Sequence, residues 1–380
     1  MHAFARQPLP AWRRAVLKVG SSLLAADKGD LSDRHARGLA AFVNAAREQG
    51  REVVLVSSGA VAAGRARVRT DTRADGLVLR QALAALGQTR MIALWQGLVD
   101  APVAQVLLTH DDLRNRRRYL NARNTLLELL RLRAIPIVNE NDTVAVEELK
   151  VGDNDNLAAT VAALVDAEFL FIASDVDGLY DAHPLHEPDA KPVAHVAEVN
   201  DAVFAMAGAS GSAFGTGGMR TKLEAAAKAA HAGIATLLFN GAADEVVAGL
   251  AQGQFRGTRF EASGTRLAAR KHWLKHAPGS GARLSVDAGA ARALAGGASL
   301  LPGGIVSVDG EFARGDIVDI AAVEGERARV IARGLCQYAA GEVRRMAGRN
   351  SREIEALLGF SYGDSVIRRD DLVVTGEATP

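Results

Sequence analysis

Three turns and one acidic stretch carry the residues of this chain that could do chemistry. AVLKVGSSLL places Lys18 near the end of an apolar run, followed by Gly20, Ser21 and Ser22. Glycine lets backbone approach a ligand closely, and successive amides can point at phosphate oxygens. VVLVSSGAVAAG repeats the device, with Ser57, Ser58 and Gly59 opening a small-residue helix. Such a position is an N-cap and equally an anion site, and capping is the simpler reading for either serine alone. FGTGGMRTKLEAAAKAA runs from Gly215, Gly217 and Gly218 straight into a helical segment. Its Lys222 falls in the first turn, where a cation opposes the helix dipole unless an anion is close by. That conflict favours a phosphate site over a bare loop. The P-loop spacing G-x-x-x-x-G-K-[ST] is absent.

The acidic stretch is NENDTVAVEELKVGDNDN, residues 139–156. It gathers Glu140, Asp142, Glu147, Glu148, Asp153 and Asp155 with Asn139, Asn141, Asn154 and Asn156 around Lys150. A metal site, a solvated acidic loop and a pocket for a cationic ligand all suit that composition. A calcium loop does not, because Asp153-Asn154-Asp155-Asn156 runs into Leu157 and Ala158 where glycine is required. SDVDGLYDAHP fails the same test with Asp175, Asp177 and Asp181, and its Asp-Gly pair reads as a turn. RNRRRYLNARNTL concentrates Arg114, Arg116, Arg117, Arg118 and Arg123, which reads as a solvated helix face. The histidines show no H-E-x-x-H spacing, and no G-x-S-x-G elbow supports acyl-enzyme chemistry.

The elements that must hold these residues alternate. AVLKVG (15–20), EVVLVSSG (52–59), VAQVLLT (103–109), IPIVNEN (135–141), EFLFIASD (168–175) and IATLLFN (234–240) are short apolar runs ending in Gly, Ser, Thr, Asn or Asp. Between them, 33–50 and 123–134 carry apolar residues at helical spacing. This pattern predicts an α/β fold, a largely parallel sheet sandwiched by helices, with ligands beyond the carboxyl ends of the strands. Residues 256–278 break it with six basic side chains against the single Glu261 and then APGSG, a basic connector. From 279 onward the runs are short and strand-like, which predicts a small β-rich second domain.

Composition narrows the classes. Hydrophobic residues make up 48% and charged residues 23%, the balance of a globular protein, and 380 residues call for two domains. The net charge of +1 gives no overall field for nucleic acid or an acidic membrane. Cys336 is the single cysteine, so no intramolecular disulfide forms and a reducing, cytoplasmic compartment is expected. The N-terminus lacks a signal-peptide h-region, and no apolar run is long enough to span a bilayer.

Taken together and in order, K-V-G-S-S, V-S-S-G-A, N-E-N-D, K-V-G-D-N-D-N-L, S-D-V-D-G-L-Y and G-T-G-G-M-x-T-K resemble the glutamate 5-kinases of the amino acid kinase family. LLPGGIVSVDGEFARGD and YGDSVIRRDDLVV resemble the PUA domain that many of these kinases carry. The resemblance implies a kinase domain at 1–262, a basic linker at 263–278 and a PUA domain at 279–380. It implies phosphorylation of the γ-carboxylate of L-glutamate by ATP with Mg²⁺, the first step of proline biosynthesis. Lys18, Gly20 and Lys222 would contact the transferring phosphates, with the two lysines catalytic. Ser58, Asp142 and Asn154 would hold glutamate, with Asp153 and Asp155 beside them. Ser174, Asp175 and the loop of Thr216, Gly217, Gly218, Met219, Arg220, Thr221 and Lys222 would line the nucleotide site. The metal ligands stay unassigned. Ser21 and Ser174 stand where the family commonly has threonine, and both keep a hydroxyl. A homo-oligomer and feedback inhibition by proline are implied by the resemblance alone.

Two alternatives remain at this stage. Aspartate differs from glutamate by one methylene, so an aspartokinase-like activity is separated only by the motif match. An RNA-binding role through the tail is not favoured, because 279–380 carries 12 Arg and no Lys against 14 Asp plus Glu.

Overall fold

The computed structural model describes residues 3–26, 31–68, 76–145, 154–184, 186–187, 189–207, 218–265, 271, 274, 279–324 and 327–375. By its contacts the chain divides into two compact units. The first comprises Met1–Arg114 and Ala122–Thr265, the second Asn115–Asn121 and Arg266–Pro380.

The first unit is built on an eight-stranded sheet. Its strands are β1 (Arg14–Val19), β2 (Glu52–Ser57), β3 (Val103–Leu108), β4 (Ile135–Glu140), β5 (Phe169–Ser174), β6 (His195–Val196), β7 (Ala235–Asn240) and β8 (Thr258–Phe260). They lie in the order β3-β4-β2-β1-β5-β7-β8-β6. The six strands from β3 to β7 are parallel, and β8 pairs antiparallel with β7. Each of the six apolar runs seen in the sequence is one of these parallel strands. Strands covered on both faces lose the polar alternation of an exposed sheet, which is why they stood out as nearly continuous apolar runs.

Alternation still decides which way each side chain points. Leu17 and Val19 of β1 join a core with α1 (Arg34–Glu48), the end of α3 (Leu77–Gln96) and α9 (Asp244–Ala251). Lys18, between them, therefore faces the opposite side, where α6 (Asn154–Leu164) packs on β1 and beside α8 (Met219–His231). The other helices are α2 (Ala60–Arg65), α4 (His110–Arg114), α7 (Asp201–Met206) and α5 (Arg116–Arg131), the last divided between the two units after Asn121. Strand order reverses about β1: the chain leaves it for β2 on one side and returns later to β5 on the other. Ligand sites of open α/β sheets lie at such a switch point.

One sequence reading is corrected here. Arg123 does not belong to a solvated arginine face: it is 2% exposed, and its Nη2 donates to Asp166 Oδ2 at 2.7 Å. Charge density along a helix says nothing of the one position whose side chain turns inward to a partner 43 residues away.

The second unit holds a five-stranded sheet of β9 (Arg283–Val286), β10 (Ile305–Asp309), β11 (Ile317–Glu324), β12 (Arg327–Leu335) and β13 (Leu372–Val374), in the order β10-β9-β11-β12-β13. Leu284, Val318, Ile320, Tyr338 and Ile367 lie in its core. Leu274, within the stretch read as a basic connector, is fully buried against Leu120, Ile317 and Leu335 of this unit. Arg266, Arg270 and Lys275 of that stretch lie outside the described residues. Cys336 is fully buried, and burial pushes its thiol up to about 12.

Candidate active site

Two helix starts meet over the carboxyl end of β1. Asp155 lies in the first turn of α6, and Thr221 and Lys222 in the first turn of α8. Lys18 reaches the same point from the α6-facing side of β1. Its Nζ stands 2.7 Å from Asp155 Oδ1, and Lys222 Nζ stands 3.3 Å from Asp155 Oδ2. Thr221 Oγ1 donates to Asp155 Oδ2 at 2.8 Å. Lys18 and Lys222 are each 6% exposed and Asp155 2%.

Burial alone would raise the Asp155 carboxyl, but the charges of Lys18 and Lys222, with hydrogen bonds from Lys18 and Thr221, outweigh it and hold it down at about 2. Burial is also the main influence on Lys222, and with repulsion from Lys18 it lowers this ammonium against the pull of Asp155 and Asp175. The conflict between Lys222 and its helix dipole is thus relieved inside the protein, by Asp155, before any ligand arrives. Gly20 follows Lys18 closely: a Cβ there would lie 3.3 Å from the Ala173 carbonyl and 3.8 Å from Lys18 Nζ.

One residue earlier, Asn154 belongs to a different group. Its Nδ2 donates to Ser58 Oγ at 2.7 Å and to Asn139 Oδ1 at 3.0 Å. Asn139 Nδ2 in turn donates to Gln88 Oε1 at 3.0 Å. Asn139, Asn154 and Gln88 are all buried. Of the two serines after β2, Ser57 is structural: it is fully buried and accepts from Trp95 Nε1 at 2.9 Å. Ser58 is the one that faces the amides.

The turn carrying Ser58 is held by a backbone-to-backbone crossing of α2 and α3. A Cβ on Gly87 would lie 1.8 Å from the Ala60 carbonyl oxygen, and one on Gly64 would lie 1.9 Å from the Leu83 oxygen. Gly59 caps α2 at φ +106°, in the left-handed region that glycine alone enters without strain. Gly87→Ala is expected to force the two backbones apart, because a Cβ has no rotamer by which to escape. It should cost about 3 kcal/mol, near the top of the range for overpacking, and raise the Michaelis constant of any ligand held by Ser58. An unfolding midpoint equal to that of the unaltered protein would refute the crossing.

Asp142 lies two residues beyond β4. Burial and the neighbouring Glu140 raise its carboxyl to about 6, against the pull of Arg80. Ser174, at the end of β5, is buried and donates to Asp175 Oδ1 at 3.1 Å.

A family model described as the amino acid kinase family matches residues 13–240, more than half of the chain. The chain belongs to the amino acid kinase family. A second model, the PUA domain, matches residues 282–358. The chain is 61% identical over 374 residues to a glutamate 5-kinase of Xylella fastidiosa (strain M12), covering 98% of this chain and 97% of that one. It is 64% identical over 361 residues to a glutamate 5-kinase of Xanthomonas campestris pv. campestris (strain 8004), covering 94% of this chain and 100% of that one. Among solved structures, a UMP kinase from Bacillus anthracis aligns over 66% of this chain and 97% of its own at 15% identity and a TM-score of 0.46.

For this member of the amino acid kinase family, the structure brings Lys18, Gly20, Asp155, Thr221 and Lys222 together, and joins Ser58 to Asn154. Asp155 sits with the lysines, both of its oxygens engaged, rather than with the Ser58–Asn154 pair. Arg220 pairs with Glu224 at 3.1 Å and lies over the Phe204 ring. Gly218 caps α8 and Met219 begins it. Asp153, Thr216 and Gly217 lie outside the described residues, as do Glu147, Glu148 and Lys150. Gln88 was not among the sequence candidates. The only local signal was Gly87 beside it, a small residue inside a helical run.

Proposed function

We propose that the protein is an ATP-dependent glutamate 5-kinase, forming γ-glutamyl phosphate in the first step of proline biosynthesis. The observation that carries this reading is the adjacency of Asn154 and Asp155. One residue belongs to a polar pocket suited to an amino acid, the next to a lysine pair suited to phosphate. The near-full-length similarity to glutamate 5-kinases supports the choice of substrate.

A γ-carboxylate oxygen attacks the terminal phosphorus of ATP as the bond to the bridging oxygen breaks, and that oxygen keeps the electron pair as ADP leaves. A free carboxylate is ionised near neutral pH, so no base has to remove a proton. The work is positioning and charge neutralisation. Lys18 and Lys222 present ammonium groups to the phosphates, and Asp155 holds the two like charges within reach of one point. Ser58 and Asn154 hold the amino acid, and the Asp142 carboxylate faces its ammonium. Ser174 and Asp175 border the nucleotide, as does the residue run from Gly218 to Thr221. Mg²⁺ fits as a companion of the nucleotide's phosphates, where it neutralises charge. The two Asp155 oxygens are already engaged, and among the described residues no group of three His, Cys, Asp or Glu side chains gathers to hold a metal.

A free amino acid suits this pocket better than its acetylated form, which has no ammonium to offset the carboxylates. No helix of the described residues is long and apolar enough to cross a membrane. A cytoplasmic location, a homo-oligomer and feedback inhibition by proline belong to the proposal as properties expected of the family.

The test is an assay offering glutamate, aspartate and acetylglutamate in turn, with hydroxylamine to trap the acyl phosphate. Glutamate is expected to give the hydroxamate, and activity on aspartate but not on glutamate would overturn the reading. The same assay run against pH examines Asp142. Its carboxyl sits at about 6 in the free protein. Below that pH a proton must leave before an ammonium binds, so the Michaelis constant for glutamate should rise up to about tenfold per unit of pH as pH falls below 6. Asp142→Ala should raise that constant at neutral pH and flatten its pH dependence; an unchanged constant refutes the assigned role.

A further inference from the structure

The chain of buried amides behind the site has a direction, and its direction decides what the site offers a ligand. Gln88 Oε1 accepts from Asn139 Nδ2 at 3.0 Å, and Asn139 presents its Oδ1 to Asn154. Asn154 must then turn its Nδ2 toward Asn139, at 3.0 Å, and its second amide hydrogen falls on Ser58 Oγ at 2.7 Å. Two consequences follow at the near end. Ser58 Oγ is occupied as an acceptor, which leaves its hydroxyl hydrogen to donate. Asn154 Oδ1 is left buried with no hydrogen-bond partner. At the far end Gln88 Nε2 is likewise buried without one. Unpaired buried polar atoms are costly, and an acceptor left open beside a donor hydroxyl points to a ligand that supplies both complements.

We propose that Gln88 is a positioning residue for substrate specificity, fixing the orientation of Asn139 and Asn154 so that the pocket shows a donor at Ser58 and an acceptor at Asn154 Oδ1. This pair complements the α-carboxylate and α-ammonium of a free amino acid. Reversing the relay would turn Asn154 Nδ2 outward and meet an ammonium with a donor. The proposal rests on the glutamate 5-kinase reading for its substrate, while the relay itself stands on the hydrogen bonds.

Two substitutions separate the acceptor from the shape of the side chain. Gln88→Met keeps length and helix propensity and loses the acceptor; Gln88→Glu keeps the acceptor and loses the amide donor. Each is assayed with glutamate and with glutarate, which lacks the ammonium, and its unfolding midpoint is measured. Gln88→Met should lower the glutamate-over-glutarate ratio of kcat/KM by about ten- to a hundredfold, and Gln88→Glu should hold it within about threefold of the unaltered protein. A purely structural role would lower both substrates together and leave the ratio unmoved. Ratios unchanged in both variants, or lost in both, overturn the proposal. Side-chain amide exchange measured by NMR on the unaltered protein covers the case in which Gln88→Met does not fold. Slow exchange at Asn139 and Asn154 is expected, and exchange at solvent rates at Asn154 overturns the relay. If no acid is phosphorylated, the kinase reading fails while this exchange still judges the relay.

Discussion

Lys222→Ala is expected to lower kcat by about two to three orders of magnitude, with a much smaller change in the Michaelis constant for glutamate. Lys222 is buried at the start of α8, with its Nζ 3.3 Å from the shared Asp155 carboxylate. A preorganised charge in so dry a place acts mainly on charge that develops as the phosphoryl group moves, which is why turnover carries the loss. Arginine should not restore activity, because a planar fork does not fit a slot that leaves the lysine 6% exposed. Steady-state kinetics with each substrate varied in turn decide the matter. A raised constant for glutamate with unchanged turnover would place Lys222 in ground-state binding of the amino acid and remove it from phosphoryl transfer.

Asp155→Ala should be the most destabilising single change at the site. It removes the carboxylate shared by two buried ammonium groups, and breaking a buried ion pair costs about 3–5 kcal/mol, or roughly 10 °C in the midpoint of the first unit. The sign of the pH dependence follows from the depressed carboxyl. Held at about 2 when folded, against about 3.9 in an unfolded chain, it stabilises the fold by about 2–3 kcal/mol above pH 4. That stabilisation is lost as pH falls from about 4 to about 2, and the variant should lack this acid-sensitive step. A coupled variant makes the explanation testable. Removing one of the two like charges should help, so Asp155→Ala with Lys222→Met is expected to melt higher than Asp155→Ala alone. If the double variant melts lower, the unbalanced charge is not the cause.

The sheet was legible because burial on both faces wrote each central strand as an apolar run, and the polar residues closing those runs marked the ligand end. Lys18 and Lys222 stood out in the turns, whereas Ser58 and Asn154 were marked as substrate ligands only by the resemblance to the kinase motifs. What could not be read was who meets whom. Asp155 and Lys222 are 67 residues apart, and nothing local in D-N-D-N tells the residue that holds the lysines from the one that holds Ser58. Gln88 was invisible for a similar reason: a glutamine inside a helix matters only once α2 and α3 cross closely enough to bury it. Arg123 was misread because a run of like charges hides the single member that turns inward.

The neighbouring positions of Asn154 and Asp155 have a mechanical consequence. Residues joined by one peptide bond keep their Cα atoms about 3.8 Å apart, whatever the surrounding loops do. In-line transfer needs its reacting atoms about 3–3.5 Å apart. On the proposed assignment the two substrate compartments hang from one covalent link in the first turn of a buried helix, so thermal wandering of either rim would move the entrance and leave the gap between donor and acceptor as it was. The fold carries its own ruler.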